Sequence, residues 1–231
     1  MSGHKTRAVV FDAYGTLFDV YSVSALAEHL YPGQGTALAA LWRDKQIEYS
    51  RLVSMSDPDA RGSRHFQSFW EITRAALRYT LARLDLAQAA AHEDALMAQY
   101  AELKPFAENL PVLQALRERG MATAILSNGS EEMLRSAVHS AGMDGWLDAV
   151  LSVDRVRHFK TMPASYQLVL THFRLEPDQV LFVSSNGWDV MGATWFGFRT
   201  LWVNRQGLPA ETLGPAPHAT GRDLRAVLTL L

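Results

Sequence analysis

Short apolar runs recur along this chain, and each stops abruptly at polar residues. Ala8 to Phe11 comes first, and its unbroken apolar character fits a short buried strand. Asp12 follows at once, at the carboxyl end of that strand, and Gly15 turns the chain. Ala122 to Leu126 repeats the pattern and runs into Ser127-Asn128-Gly129-Ser130. Val180 to Val183 repeats it again, before Ser184-Ser185-Asn186-Gly187-Trp188-Asp189. Ala149 to Ser152 is a shorter run, and Thr200 to Val203 is expected to be the last core strand.

Helical spacing fills the intervals. From about Ser22 to Tyr100 there is almost no strand signal. Leu38, Leu41 or Trp42, Lys45, Tyr49 and Leu52 follow a helical period, as do Phe66, Phe69 or Trp70, Thr73, Leu77 and Leu81. Ser56-Asp57-Pro58-Asp59 with Gly62 separates the two as a loop, and Lys104-Pro105 closes the region. Farther on, Asn109 reads as an N-cap with Pro111 near the start of a helix that stops at Gly120. Helices are also expected from about Glu131 to Ala141, from Pro163 to Phe173, and from about Asp223 at the C-terminus. Strands alternating with helices predict an α/β chain with a doubly wound parallel, Rossmann-like sheet. A helical unit is inserted after the first strand. The expected division is a core of residues 1–20 and 103–231, with the insert at 21–102.

Composition narrows the function classes. The 231 residues are 48% hydrophobic and 20% charged, enough for a substantial core. With 22 basic and 24 acidic residues the formal net charge is −2, which gives no footing for nucleic acid. The absence of cysteine excludes disulfides, thiolate zinc sites and cysteine nucleophiles. Residues 1–5 carry no signal-peptide pattern, and no apolar run reaches the ~18 residues of a membrane span. A soluble cytoplasmic protein with no membrane partner is expected.

Three of the strands end in polar clusters: Asp12 with Thr16, Ser127 with Asn128, and Ser184 to Asp189. In a parallel sheet these ends share one edge, where ligands bind. Each cluster alone has a plain structural reading, as a turn or a helix cap. Together they predict one pocket.

Asp12-Ala13-Tyr14-Gly15-Thr16-Leu17-Phe18-Asp19, Leu126-Ser127-Asn128-Gly129-Ser130, Lys160 and Val183-Ser184-Ser185-Asn186-Gly187-Trp188-Asp189 resemble the haloacid dehalogenase superfamily. More narrowly they resemble its L-2-haloacid dehalogenase branch, and Leu41-Trp42-Arg43-Asp44-Lys45-Gln46 is similar to a stretch of that branch's cap. The resemblance runs from Val9 to about Phe198. It implies hydrolysis of short-chain L-2-haloacids to D-2-hydroxyacids and halide, with inversion at C2 and no cofactor or metal. Two alternatives stand beside it: a magnesium-dependent phosphatase of the same superfamily, and a catalytically idle binding relative. Family phosphatases carry a second aspartate two residues after the nucleophile, where this chain has Tyr14. Asp189 is also the only carboxylate in the last motif, a poor set for a divalent cation.

In that framework Asp12 is the nucleophile, Thr16 fixes its carboxylate, and Lys160 keeps Asp12 and Asp189 ionised. Asp189 positions or activates the hydrolytic water, held by Ser184 and Asn186. Ser127 and Asn128 hold the substrate carboxylate or the halide. Arg43 and Asn128 are implied to receive the halide, and Tyr166 to contact Asp12 or Lys160. Tyr14, Gln46, Phe66, Phe69 and Trp188 are expected to wall the pocket. Thr161 stands where the family commonly has proline after the lysine. A homodimer is implied by the resemblance alone.

Overall fold

The structure is a computed structural model that describes residues 6–86 and 89–231, so the expectation for residues 1–5 lies outside the described residues. Strands β1 (Ala8–Phe11), β2 (Ala122–Ser127), β3 (Ala149–Ser152), β4 (Val180–Ser184), β5 (Arg199–Val203) and β6 (Ala219–Gly221) form one sheet. All its pairings are parallel, in the order β3-β2-β1-β4-β5-β6. The chain moves outward from β1 through β2 and β3, then returns to β4 on the other side. β1 therefore lies at the switch point, where a crevice opens beyond the carboxyl ends of the strands.

The strands read as unbroken apolar runs because both faces are covered. Val9, Phe11, Ile125, Leu181 and Val183 enter one apolar cluster with Val112 and Leu116 of α5 (Asn109–Glu118) and Leu134 of α6 (Glu131–Ser140). Ala8, Val10, Ala124, Leu126 and Phe182 enter the other, with Tyr166 and Val169 of α7 (Pro163–Phe173) and Ala193 of α8 (Gly187–Phe196).

Between β1 and α5 the chain forms α1 (Ser24–Leu30), α2 (Gly35–Ser56), α3 (Phe69–Arg83) and α4 (Ala90–Ala101). Ser68 and Glu71 cap α3 reciprocally. Leu38, Ala39 and Trp42 of α2 share a core with Phe69, Ile72 and Leu77 of α3, and the Trp42 indole donates to the Thr73 carbonyl at 2.8 Å. Arg74 and Arg78 of α3 both reach Glu93 of α4 at 2.8 Å. The same apolar cluster continues through Tyr14 and Phe18 into the first face of the sheet. The two connections to these helices run side by side: Asp19 N–H donates to the Lys104 carbonyl, and Phe106 N–H to the Leu17 carbonyl. Among the described residues, no helix is long and apolar enough to cross a membrane.

Three local expectations are corrected. Asn109 does not cap α5; it is the first helical residue, and its amide donates to the Leu17 carbonyl at 2.7 Å, fastening the joint between helices and sheet. Thr200 to Val203 is not the last strand, because β6 pairs beside β5. The C-terminal segment is a 3₁₀ helix, Leu224–Thr229, capped by Asp223. Its buried Leu224 and Val227 are three apart, which suits three residues per turn.

Candidate active site

Asp12 emerges from β1 with its N–H bonded to the Val183 carbonyl of β4. The chain then folds tightly: the N–H groups of Thr16, Leu17 and Phe18 all donate to the Ala13 carbonyl. Gly15 sits at φ +94°, which strains any residue with a Cβ. This turn brings Thr16 back over Asp12. The Thr16 hydroxyl donates to Asp12 Oδ2 at 3.0 Å and accepts from the Ser185 N–H at 2.8 Å, joining the ends of β1 and β4. Asn186 Nδ2 donates to the same Oδ2 at 2.8 Å.

Lys160 approaches from the other side. Its Nζ donates to Asp12 Oδ1 at 3.0 Å and to Asp189 Oδ2 at 2.9 Å. The ammonium is 1% exposed and wedged between two carboxylates. Burial works against its charge, but Asp12 and Asp189 outweigh that and push the Lys160 pKa up. Its backbone is set by neighbours, since Lys160 N–H donates to Asn128 Oδ1 and Phe159 N–H to Ser54 Oγ on α2. Thr161, in place of proline, leaves the lysine engaged on both carboxylates.

Asp189 lies in the first turn of α8 and is fully buried. Tyr166 on α7 donates its hydroxyl to Asp189 Oδ1 at 2.8 Å. Burial is the main force raising the Asp189 pKa, to about 6. Asp12 adds to it, while Lys160 and Tyr166 pull the other way. Burial likewise holds the Tyr14 and Tyr166 phenols well above the usual range, so both stay protonated.

Arg43 projects from α2 toward these groups. Its guanidinium donates to Gln46 Oε1 at 2.7 Å, and to the Tyr14 carbonyl and Asn186 Oδ1 at 3.2 Å each. These are neutral oxygens, and among the described residues no carboxylate forms an ion pair with it. Asp12, Tyr14, Arg43, Ile47, Phe69, Ser127, Asn128 and Trp188 enclose a cavity of about 10 Å³, room for roughly one water. Arg43, Ile47 and Trp188 also border a larger cleft of about 540 Å³. Arg51 of α2 lies over the Trp188 ring at 4.9 Å.

Most residues anticipated from the sequence meet here, with several corrections. Tyr166 contacts Asp189 and not Asp12 or Lys160, because α7 lies against α8. Asn186 bonds Asp12 directly. Ser184 does not face the carboxylates; its hydroxyl accepts the Asn186 N–H at 3.1 Å and shapes the turn. Ser127 borders the cavity, while its hydroxyl accepts the Gly129 N–H. Phe66 stacks on Phe159 at 5.1 Å and is not part of the cavity wall, a place Phe69 takes. Gln46 is fully buried behind Arg43 and does not border the cavity. Sequence reasoning missed Tyr100 and Ile47, since an apolar or aromatic position on a helix looks the same in a core as at a site. Among the described residues no group of three His, Asp or Glu could hold a metal ion.

Comparison with known proteins fits this arrangement. The model of the haloacid dehalogenase-like hydrolase family matches residues 6–197. This chain belongs to that family. Haloacetate dehalogenase H-2 of Moraxella sp. (strain B) is 40% identical over 227 residues, covering 98% of each chain. The (S)-2-haloacid dehalogenase of Pseudomonas sp. (strain YL) is 40% identical over 224 residues, 97% of this chain and 94% of that one. Among solved structures, an L-2-haloacid dehalogenase with 55% identity superposes with a TM-score of 0.95 over 98% of both chains. The Xanthobacter autotrophicus L-2-haloacid dehalogenase with chloropropionic acid covalently bound is 38% identical. It reaches a TM-score of 0.87 over 97% of this chain and 98% of that one.

Proposed function

We propose that this chain hydrolyses short-chain L-2-haloacids to D-2-hydroxyacids and halide through an ester on Asp12. The observation that carries the reading is the setting of Asp12, a carboxylate fixed by Thr16, Asn186 and Lys160 beside a cavity that also presents Arg43, which among the described residues has neutral partners and no carboxylate ion pair. Oδ2 already accepts two hydrogen bonds, whereas Oδ1 accepts one, from Lys160. Oδ1 keeps a free lone pair and is the attacking oxygen. It bonds to C2 from the face opposite the halide, the carbon–halogen bond breaks, and configuration inverts. Halide leaves as a weak base that needs no proton but does need a cation, and Arg43 with Asn128 supplies that environment. Ser127 and the N–H groups at the start of α6 serve the substrate carboxylate.

In the second step water attacks the carbonyl carbon of the ester. The carbonyl oxygen is then Oδ2, and Thr16 and Asn186 are in place to hold its developing charge. Asp189 takes a proton from water and returns it to the leaving alkoxide as the acyl–oxygen bond breaks, which releases the hydroxyacid. The second proton of the water is lost to solvent as Asp12 is restored as a carboxylate. Lys160 offsets the charge of the carboxylate pair throughout. Residues 21–102 act as a cap that brings Arg43 to a core of residues 1–20 and 103–231. A cytoplasmic homodimer completes the proposal, and ultracentrifugation tests the dimer.

The test is halide and lactate release from (S)-2-chloropropionate, with and without EDTA. D-lactate and chloride in equal amounts, indifferent to chelator and lost in Asp12→Asn, are expected. No halide release, with magnesium-restored hydrolysis of a phosphate ester, would replace this reading with a phosphatase.

A further inference from the structure

Arg43 is the only element of the proposed halide receptor that comes from the cap, and what aims it is a buried neutral relay. Gln46 is one helical turn along α2 and fully buried. Its Oε1 accepts from Arg43 Nη1 at 2.7 Å and from the Tyr100 hydroxyl at 3.1 Å, while its Nε2 donates to Thr73 Oγ1 at 2.6 Å. The direction of this chain is forced. The Thr73 hydroxyl donates its single proton to the Phe69 carbonyl at 2.6 Å, so its oxygen is left to accept. That requires the amide nitrogen of Gln46 to face Thr73 and the amide oxygen to face Arg43. Burial raises the Tyr100 pKa, which keeps the phenol protonated as a donor. Helices α2, α3 and α4 thus each contribute one member.

We infer that Gln46, held by Thr73 and Tyr100, is a positioning residue that orients the Arg43 guanidinium toward the cavity without neutralising it. A buried arginine is commonly oriented by a carboxylate, whose fork matches its own. Such a partner would cancel the charge that an anion has to find. An amide oxygen gives direction and leaves the charge free. The other guanidinium contacts, to the Tyr14 carbonyl and Asn186 Oδ1, are also neutral, and Asn186 passes the same register on to Asp12 Oδ2. The relay therefore sets the cap's cation relative to the core's nucleophile.

This inference rests on the dehalogenase reading above, and the test separates the two. Gln46→Glu keeps the shape but adds a charge that pairs with Arg43, so inhibition by added bromide should weaken at least about tenfold, with KM rising alongside. Gln46→Met removes the direction but not the charge, so kcat should fall about tenfold or more, as misplacement of a reacting group does, with less change in KM. Tyr100→Phe keeps the ring and removes one donor, so its kcat and bromide inhibition should shift in the same sense by a few-fold. A role confined to cap folding would lower melting temperature in all three without splitting the effects between bromide affinity and turnover. Wild-type bromide inhibition and KM in a folded Gln46→Glu protein would overturn the inference. If that variant does not fold, wild-type kcat in Gln46→Met overturns it instead. Failure of the unmodified protein to release halide would count against the dehalogenase reading itself.

Discussion

Asp189 carries the sharpest consequence at the scale of single residues. It is fully buried, and that raises its pKa to about 6, although Lys160 and Tyr166 both favour its charged form. Above pH 6 the carboxylate is ionised and can take a proton from water. As pH falls through about 6 it is protonated and loses that capacity. In the ester Asp12 is uncharged and no longer raises Asp189, so the inflection lies below that of the free protein. Beneath it ester hydrolysis should slow by about tenfold per pH unit, the behaviour of a single essential base. Rapid-quench measurement of ester decay between pH 4.5 and 8 checks this, and a flat rate would remove Asp189 as the base. Much of this chemistry was legible in the sequence because Asp12, Thr16, Asn186 and Asp189 lie at strand ends or shortly after them, whereas Lys160, in a loop well beyond β3, is indicated only by the resemblance to the family. A polar residue directly after an apolar run has few structural reasons to be there. Gln46 and Tyr166 were misplaced for the converse reason: spacing says which face of a helix a residue occupies, but not which atom across the gap it meets.

Among elements, the packing of α8 against the loop after Lys160 decides whether the lysine reaches both carboxylates. Gly192 lies on α8 at their closest approach. A Cβ there would come within 2.4 Å of Thr161 Cγ2 and 2.8 Å of the Tyr166 hydroxyl. Tyr166 is buried and bonded to Asp189, and although Thr161 is exposed its Cβ would also lie within 2.8 Å, so relief would require the backbone beside Lys160 or the Tyr166–Asp189 contact to shift. Gly192→Ala should destabilise the protein by about 1–3 kcal/mol, the usual cost of overpacking, and slow turnover besides. Thermal unfolding with kinetics at one substrate concentration measures both, and a wild-type melting temperature and rate would show that the loop has slack. Elements with strong patterns, such as β1 and α7, agree with their sequence limits at both ends. The three-residue β6 is too short to show alternation, and only its register with β5 makes it a strand. Asn109 reads as a cap because asparagine favours that position, yet its amide instead joins the Phe106 N–H on the Leu17 carbonyl.

At the scale of the molecule, the parallel sheet places Asp12 and Asp189 at one edge, a loop beyond β3 brings Lys160 between them, and the α2–α4 helices deliver Arg43 over them. The apolar cluster shared by sheet and helices makes that placement one packed unit. The topology could be inferred from alternating periodicity, but the union of the two parts could not, because side chains such as Tyr14 and Phe18 reveal their partners only in space. The proposed chemistry requires Asp12 to bond to substrate carbon and then to be hydrolysed itself. A single turnover in ¹⁸O-water, with protein in excess over (S)-2-chloropropionate, tests it most directly. The ester route predicts a lactate hydroxyl free of label, since that oxygen comes from Asp12, and one ¹⁸O in the peptide bearing Asp12 by mass spectrometry. Label in the first-turnover lactate with Asp12 left unlabelled would mean that water attacks C2 directly, and would contradict the account.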